Sequence, residues 1–212
     1  METIENKMYR RIRGKGCLWA FSDSDFWDIA PRDSVRQSLV RLHREGNIRR
    51  LLRGLYDYPK FSEFLKEQMS PDLSQVAQAL ARKFGWRIRP SGDTALNYLG
   101  LSTQVAGKAL YFSDGPDREY LIGKQSILFQ KTLLKHATLK YPESALVVEA
   151  LDVLTQERFT PDVAKKIRSR FNKASLKKIL LDARRVKGWI HDCIRVICLA
   201  DEVPLRGRGQ SG

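Results

Sequence analysis

Two hundred and twelve residues suit one large domain or two small ones, and 42% hydrophobic content is enough for a buried core. Thirty-eight Lys and Arg against 24 Asp and Glu give a net charge of +14, a balance that favours a polyanionic partner, usually nucleic acid. No apolar run approaches the ~20 residues of a membrane span. The charged first 14 residues lack the apolar core of a signal peptide, and Cys17, Cys193 and Cys198 form no disulfide framework, so a reducing cytoplasm is the expected setting.

In chain order, Thr3 caps a predicted helix over 3–14, with Ile4, Met8 and Ile12 on one face and Gly14 and Gly16 at its end. Residues 18–21 alternate weakly and predict a short strand or an extended lead-in. Ser22 caps a second short helix over 23–29, with Phe26, Trp27 and Ile29 as apolar contacts. The segment 33–45 follows, with Val35, Leu39 and Leu42 at i, i+4 and i+7. Asp33 or Ser34 can cap it, Ser34-x-x-Gln37 fits a capping box, Pro31 stands outside, and Gly46 ends the helix. Opposite the apolar stripe lie Gln37, Val40, Arg41 and Arg44, with Ser34 and Arg36 on the flanks.

Two basic-apolar segments, 48–52 and 55–58, hinge at Arg53-Gly54 and predict a hairpin. Helix, glycine stop, hairpin is the order of a recognition helix and wing. A solvated helix face is the plainer reading of 33–45 alone. Three arginines within five positions of the hairpin favour DNA, since a wing on a phosphate backbone needs cations at its tip. Residues 1–60 are therefore expected to form a winged helix-turn-helix. Ser34, Arg36, Gln37, Arg41 and Arg44 would enter a groove, and Arg49, Arg50 and Arg53 would lie on the backbone. Imperfect alternation over 48–52 leaves the direction of Arg50 the least defined.

Residues 61–70 read as a linker, 71–204 as a second domain, and 205–212 as a disordered basic tail. A helix from Pro71-Asp72 to Gly85 places Val76, Leu80 and Phe84 on its buried face. Residues 86–90 predict a strand and 91–99 a helix capped by Ser91 or Asp93. Three more strands are expected at 109–113, 119–122 and 126–130. From Pro142 onward the pattern is helical. The fold class is thus α+β: an N-terminal winged helix-turn-helix and a C-terminal mixed α/β domain ending in a helical bundle.

Between 165 and 187 there are ten basic residues and one acid, Asp182. Lys165, Lys166, Arg168, Arg170, Lys173, Lys177 and Lys178 mark a second cationic surface for flanking DNA, RNA or an acidic protein, unless it is only solvated. Sparse aromatics argue against single-strand stacking. Enzyme signatures are weak. Asp23-x-Asp25 matches the metal-binding pair of nucleotidyltransferases but lacks the preceding Gly-Ser turn and sits where helix caps are expected. No Pro-Asp is followed by Glu-x-Lys, no phosphate loop is present, and His191, Cys193 and Cys198 match no zinc pattern. No catalytic residue, metal site or cofactor is expected.

The stretch VRQSLVRLHREGNIRRLLRGLYDYP (35–59) resembles the antitoxins of the abortive-infection E type, from bacterial type IV toxin–antitoxin systems. Its helix, Leu-x-x-x-Gly-x-Ile and Arg-Gly-x-Tyr carry the likeness. IRPSGDTALNYLGL (88–101) is similar, more loosely, to the opening of that family's C-terminal domain. The resemblance implies a winged domain that represses its own operon at inverted repeats in double-stranded DNA. It also implies a C-terminal domain that counteracts a nucleotidyltransferase-like toxin in phage defence, without requiring a stable complex. The alternatives are a nucleic-acid-modifying enzyme delivered by its winged domain, and a plain winged-helix transcriptional regulator.

Overall fold

The computed structural model describes residues 2–102, 107–132, 139–186 and 188–199. The fold is α+β. In chain order the elements are α1 (Ile4–Lys15), β1 (Ala20–Ser22), a 3-10 turn (Asp23–Phe26), α2 (Arg32–Arg44), β2 (Arg49–Leu52), β3 (Leu55–Asp57), β4 (Phe61–Ser62), β5 (Glu67–Gln68) and α3 (Leu73–Phe84). Then come β6 (Ile88–Pro90), α4 (Gly92–Tyr98), β7 (Lys108–Ser113), β8 (Arg118–Ile122), β9 (Gln125–Lys131), α5 (Pro142–Leu154), α6 (Pro161–Ser169), α7 (Lys173–Asp182), a 3-10 turn (Ala183–Arg185) and α8 (Gly188–Leu199). Among the described residues, no helix is long and apolar enough to cross a membrane.

The chain divides into two compact units, Met1–Ile88 with Gly107–Thr132, and Arg89–Ala106 with Leu133–Gly212. This division differs from the expected boundary at 61–70. Helix α3 packs on β1 and β3, and strands β7–β9 also belong with the N-terminal residues. A continuous 71–204 body is therefore not what the contacts outline. The expected tail, 205–212, lies outside the described residues.

In the first unit, Thr3 Oγ1 accepts from Asn6 N and starts α1, as its sequence position predicts. The expected second helix is only the 3-10 turn, closed by a reciprocal Ser22–Asp25 capping box. Helix α2 begins after Pro31, and no side chain caps it, so the expected Ser34–Gln37 box does not form. Pro31 holds the entry at φ −55°. Met8, Ile12, Phe21, Phe26, Val35, Leu39, Leu42, Ile48 and Tyr56 form the core under α1, α2 and the sheet. That sheet runs β1-β3-β2, all antiparallel.

Arg82, in the last turn of α3, donates to Asp25 Oδ1 at 2.7 Å and to the carbonyl of Ala20 at 2.8 Å. These bonds fix α3 to β1 and the 3-10 turn. Phe84 was expected to be buried but is 40% exposed, stacked on Trp86. A second sheet holds β7, β9 and β8 in that order, with β7 parallel and β8 antiparallel to β9. Trp86 meets Phe129 of β9 edge-on at 5.4 Å, and a side chain at Gly115 would run into the Trp86 ring.

The second unit is a helical body. Ser91, Thr160 and Asn172 cap α4, α6 and α7 through their side chains. Val147, Ala150 and Leu151 of α5 pack with Ile167, Ile179, Ile190, Ile194 and Ile197. Inside it, Arg89 pairs with Glu149, and Asp182 accepts from the backbone N–H groups of Lys140 and Tyr141. Burial pushes the Cys193 and Cys198 thiols up to about 11, as suits apolar packing residues.

Candidate nucleic-acid interface

The first unit carries the candidate site on α2 and the β2–β3 hairpin. The buried side of α2 is Val35, Ser38, Leu39 and Leu42. At 100° per residue the opposite direction passes between Gln37, Val40 and Arg44. All three are exposed. Arg36 lies to one side of this line, toward the hairpin, and Arg41 to the other, toward α1.

The flanking arginines have intramolecular partners. Arg36 Nε donates to Asp23 Oδ2 at 2.9 Å. Arg41 Nη1 donates to Glu5 Oε1 of α1 at 2.9 Å. Arg41 is thus drawn to the α1–α2 seam, and Ser34, on the same side, is half-buried. Gln37 and Arg44 are the polar residues at the centre of the exposed face.

The hairpin divides its three arginines. Arg49 sits opposite Asp57 in the ladder and forms a two-pronged pair with its carboxylate, at 3.0 and 2.5 Å. Asp57 is fully buried. A third bond runs from Arg49 to the carbonyl of Met69 at 2.8 Å. Arg49 is therefore a structural residue, contrary to the expectation that it binds backbone phosphate. Arg50 and Arg53 are exposed. Strand β2 slips in register between Arg50 and Leu52, which is why alternation did not show the direction of Arg50.

Between α2 and the hairpin turn lies an open cavity of about 520 Å3. Leu39, Val40 and Tyr56 form its apolar lining. Arg36, Arg50, Arg53 and Lys83 set four cations against one carboxylate, Asp23, for a net +3. Lys83 comes from α3, and its Nζ donates to the carbonyls of Arg53 and Gly54, each at 3.2 Å. Burial lowers the Lys83 ammonium below its usual pKa, Asp23 opposes that shift, and Arg36 adds to it. Sequence reading missed Lys83, because a cation in a helix's last turn has an ordinary dipole role.

Asp23 and Asp25, the D-x-D pair read from the sequence as helix caps, are engaged by Arg36 and Arg82, and Asp25 also accepts from Ser22 N. Among the described residues, no group of three His, Cys, Asp or Glu is arranged to hold a metal ion.

The cationic residues expected in the second unit are mostly at its surface. Lys165, Lys166, Arg170, Lys173, Lys177 and Lys178 are exposed. Arg168 is not part of that solvent-facing set. Its Nη1 donates to the carbonyls of Ile197 and Cys198 at 2.9 and 2.8 Å, satisfying the C-terminal end of α8.

A cationic groove bordered by a helix and a hairpin is thus the candidate interface of the first unit. The chain itself belongs to a family described as "Family of unknown function (DUF6088)", whose profile matches residues 3–179. No curated protein and no solved structure matches it.

Proposed function

We propose that this chain binds double-stranded DNA as a winged helix-turn-helix protein, with α2 in the major groove and the β2–β3 hairpin as the wing. The observation that carries this reading is the cavity between the two elements, where Arg36, Arg50, Arg53 and Lys83 converge. Gln37 and Arg44 stand beside it with the chemistry to read adenine and guanine edges. The net charge of +14 suits a polyanionic partner.

The biological setting we propose is cytoplasmic repression of the chain's own operon at inverted repeats, coupled to neutralisation of a nucleotidyltransferase-like toxin. This part rests on the antitoxin resemblance of 35–59 and 88–101. Binding to a labelled promoter fragment from the chain's own operon tests the DNA reading. Gln37→Ala is expected to cost about 1–3 kcal/mol on that fragment and little on random DNA. Equal losses on both would remove Gln37 from base reading, and no promoter preference in the wild type would remove the repressor role. Growth rescue on co-expression with a neighbouring nucleotidyltransferase-like gene tests the antitoxin role.

A further inference from the structure

Residues 60–69 form a small built projection. Strands β4 and β5 pair antiparallel, with Phe61 opposite Gln68 and Ser62 opposite Glu67. Met69 N donates to the carbonyl of Lys60 at 2.8 Å, and Arg49 holds the carbonyl of Met69. At the turn, Leu65 N donates to Ser62 Oγ at 3.2 Å, and Lys66 takes a left-handed φ of 52°. The hairpin is therefore anchored at its base and shaped at its tip.

Its surface is unusually apolar for this chain. Phe64 is 94% exposed, Leu65 58%, Phe61 53% and Met69 38%. A large exposed apolar patch marks a contact surface. Lys60, Glu63, Lys66 and Glu67, all exposed, cancel in charge, whereas the whole chain carries +14. Two copies at +14 each repel overall, and this turn adds no net charge to that repulsion. Under a two-fold axis the same patch meets itself, so acids and bases in one short turn are self-complementary.

We infer that the β4–β5 hairpin is a self-association surface, occupied by the same hairpin of a second copy of this chain. Phe64 and Leu65 cover their counterparts across the axis, and Glu63 faces the partner's Lys66. The four apolar side chains offer roughly 400–500 Å2 per copy, given 150–250 Å2 for a wholly buried aromatic. The pair then buries less than the ~1,200 Å2 at which stable interfaces begin, so association is weak and concentration-dependent. Two joined copies would also present two α2 helices, the arrangement that a DNA site with two half-sites needs.

Sedimentation velocity of the full chain without DNA, over about 1–100 μM, reads this directly, since even interfaces of about 1,600 Å2 extend to micromolar affinity. The wild type is expected to shift from monomer to dimer. Phe64→Ser with Leu65→Ser is expected to stay monomeric, with an unchanged thermal melt by circular dichroism. Glu63→Lys and Lys66→Glu are each expected to weaken association, and an equimolar mixture of the two to restore it. A wild type that stays monomeric at the highest concentration overturns the inference, and so does a dimer that survives the Phe64/Leu65 change. A mixture no more associated than its components overturns the two-fold pairing. Because DNA is absent from the cell, failure of the DNA reading leaves these outcomes unaffected.

Discussion

Replacing Arg49 with alanine would leave the Asp57 carboxylate buried without its two-pronged partner, inside a three-stranded sheet. Removing one member of a buried pair costs about 3–5 kcal/mol, because the remaining charge is uncompensated. Arg49→Ala is therefore expected to lower the urea midpoint strongly, with Arg49→Ala/Asp57→Asn recovering part of the loss. Arg50→Ala and Arg53→Ala should leave the midpoint almost unchanged, since both side chains are exposed. On promoter DNA each should reduce the slope of log affinity against log salt by about one, one phosphate contact apiece. An Arg49 variant that keeps its stability would contradict the structural role assigned to that pair. An unchanged salt slope in the Arg50/Arg53 double variant would contradict the wing. Adjacent arginines of one strand thus separate into a fold-holding residue and an exposed one, and a denaturation curve tells them apart without any ligand.

At the scale of elements, α3 decides where the first unit ends. It buries Leu73, Val76, Ala77, Ala79, Leu80 and Ala81, it packs on β1, the 3-10 turn and β3, and Arg82 and Lys83 tie its end to Ala20, Asp25 and the hairpin turn. A fragment of residues 1–60 loses that cover. It is expected to melt without a cooperative transition, while the full chain melts cooperatively. A cooperative 1–60 fragment would show that α3 is dispensable. Much of this element list was legible in the sequence. Periodicity placed α1, α2 and α3, and turn residues bracketed β7, β8 and β9, because those signals are local. The partner of a face is not local. Val76 and Leu80 announce that α3 buries a stripe, but nothing in their spacing names β1 as the surface that receives it. The same limit hid the grouping of β7–β9 with the N-terminal elements. It also hid Lys83, whose value at the site depends on a hairpin turn thirty residues earlier. The capping of α2 failed for a different reason. Pro31 fixes the entry sterically, so a good capping-box pattern one turn later had no open helix end to serve.

For the whole molecule, the question is what the charge of +14 serves once the groove has claimed Arg36, Arg50, Arg53 and Lys83. The second unit carries its own cationic surface, and its core does not depend on those charges. Ala164 and Ile167 bury one side of α6, and Leu176 and Ile179 bury one side of α7, while Lys165, Lys166, Lys173 and Lys177 point to solvent. Changing these four lysines to glutamate in the full chain should move stability by less than about 0.5 kcal/mol each. Arg168 must be left alone, since its loss would expose the α8 carbonyls it satisfies and confuse the result. Two measurements on the same variant then assign the surface. One is affinity for promoter DNA as a function of salt, and the other is growth rescue of cells expressing the candidate toxin. Weakened DNA binding with intact rescue would give the surface to flanking DNA, where each lost phosphate contact also flattens the salt slope by about one. Lost rescue with intact DNA binding would give it to neutralisation, through an acidic protein or an RNA. If the variant melts like the wild type and keeps both activities, the lysines serve solvation alone, and polyanion attraction falls to the cations of the first unit.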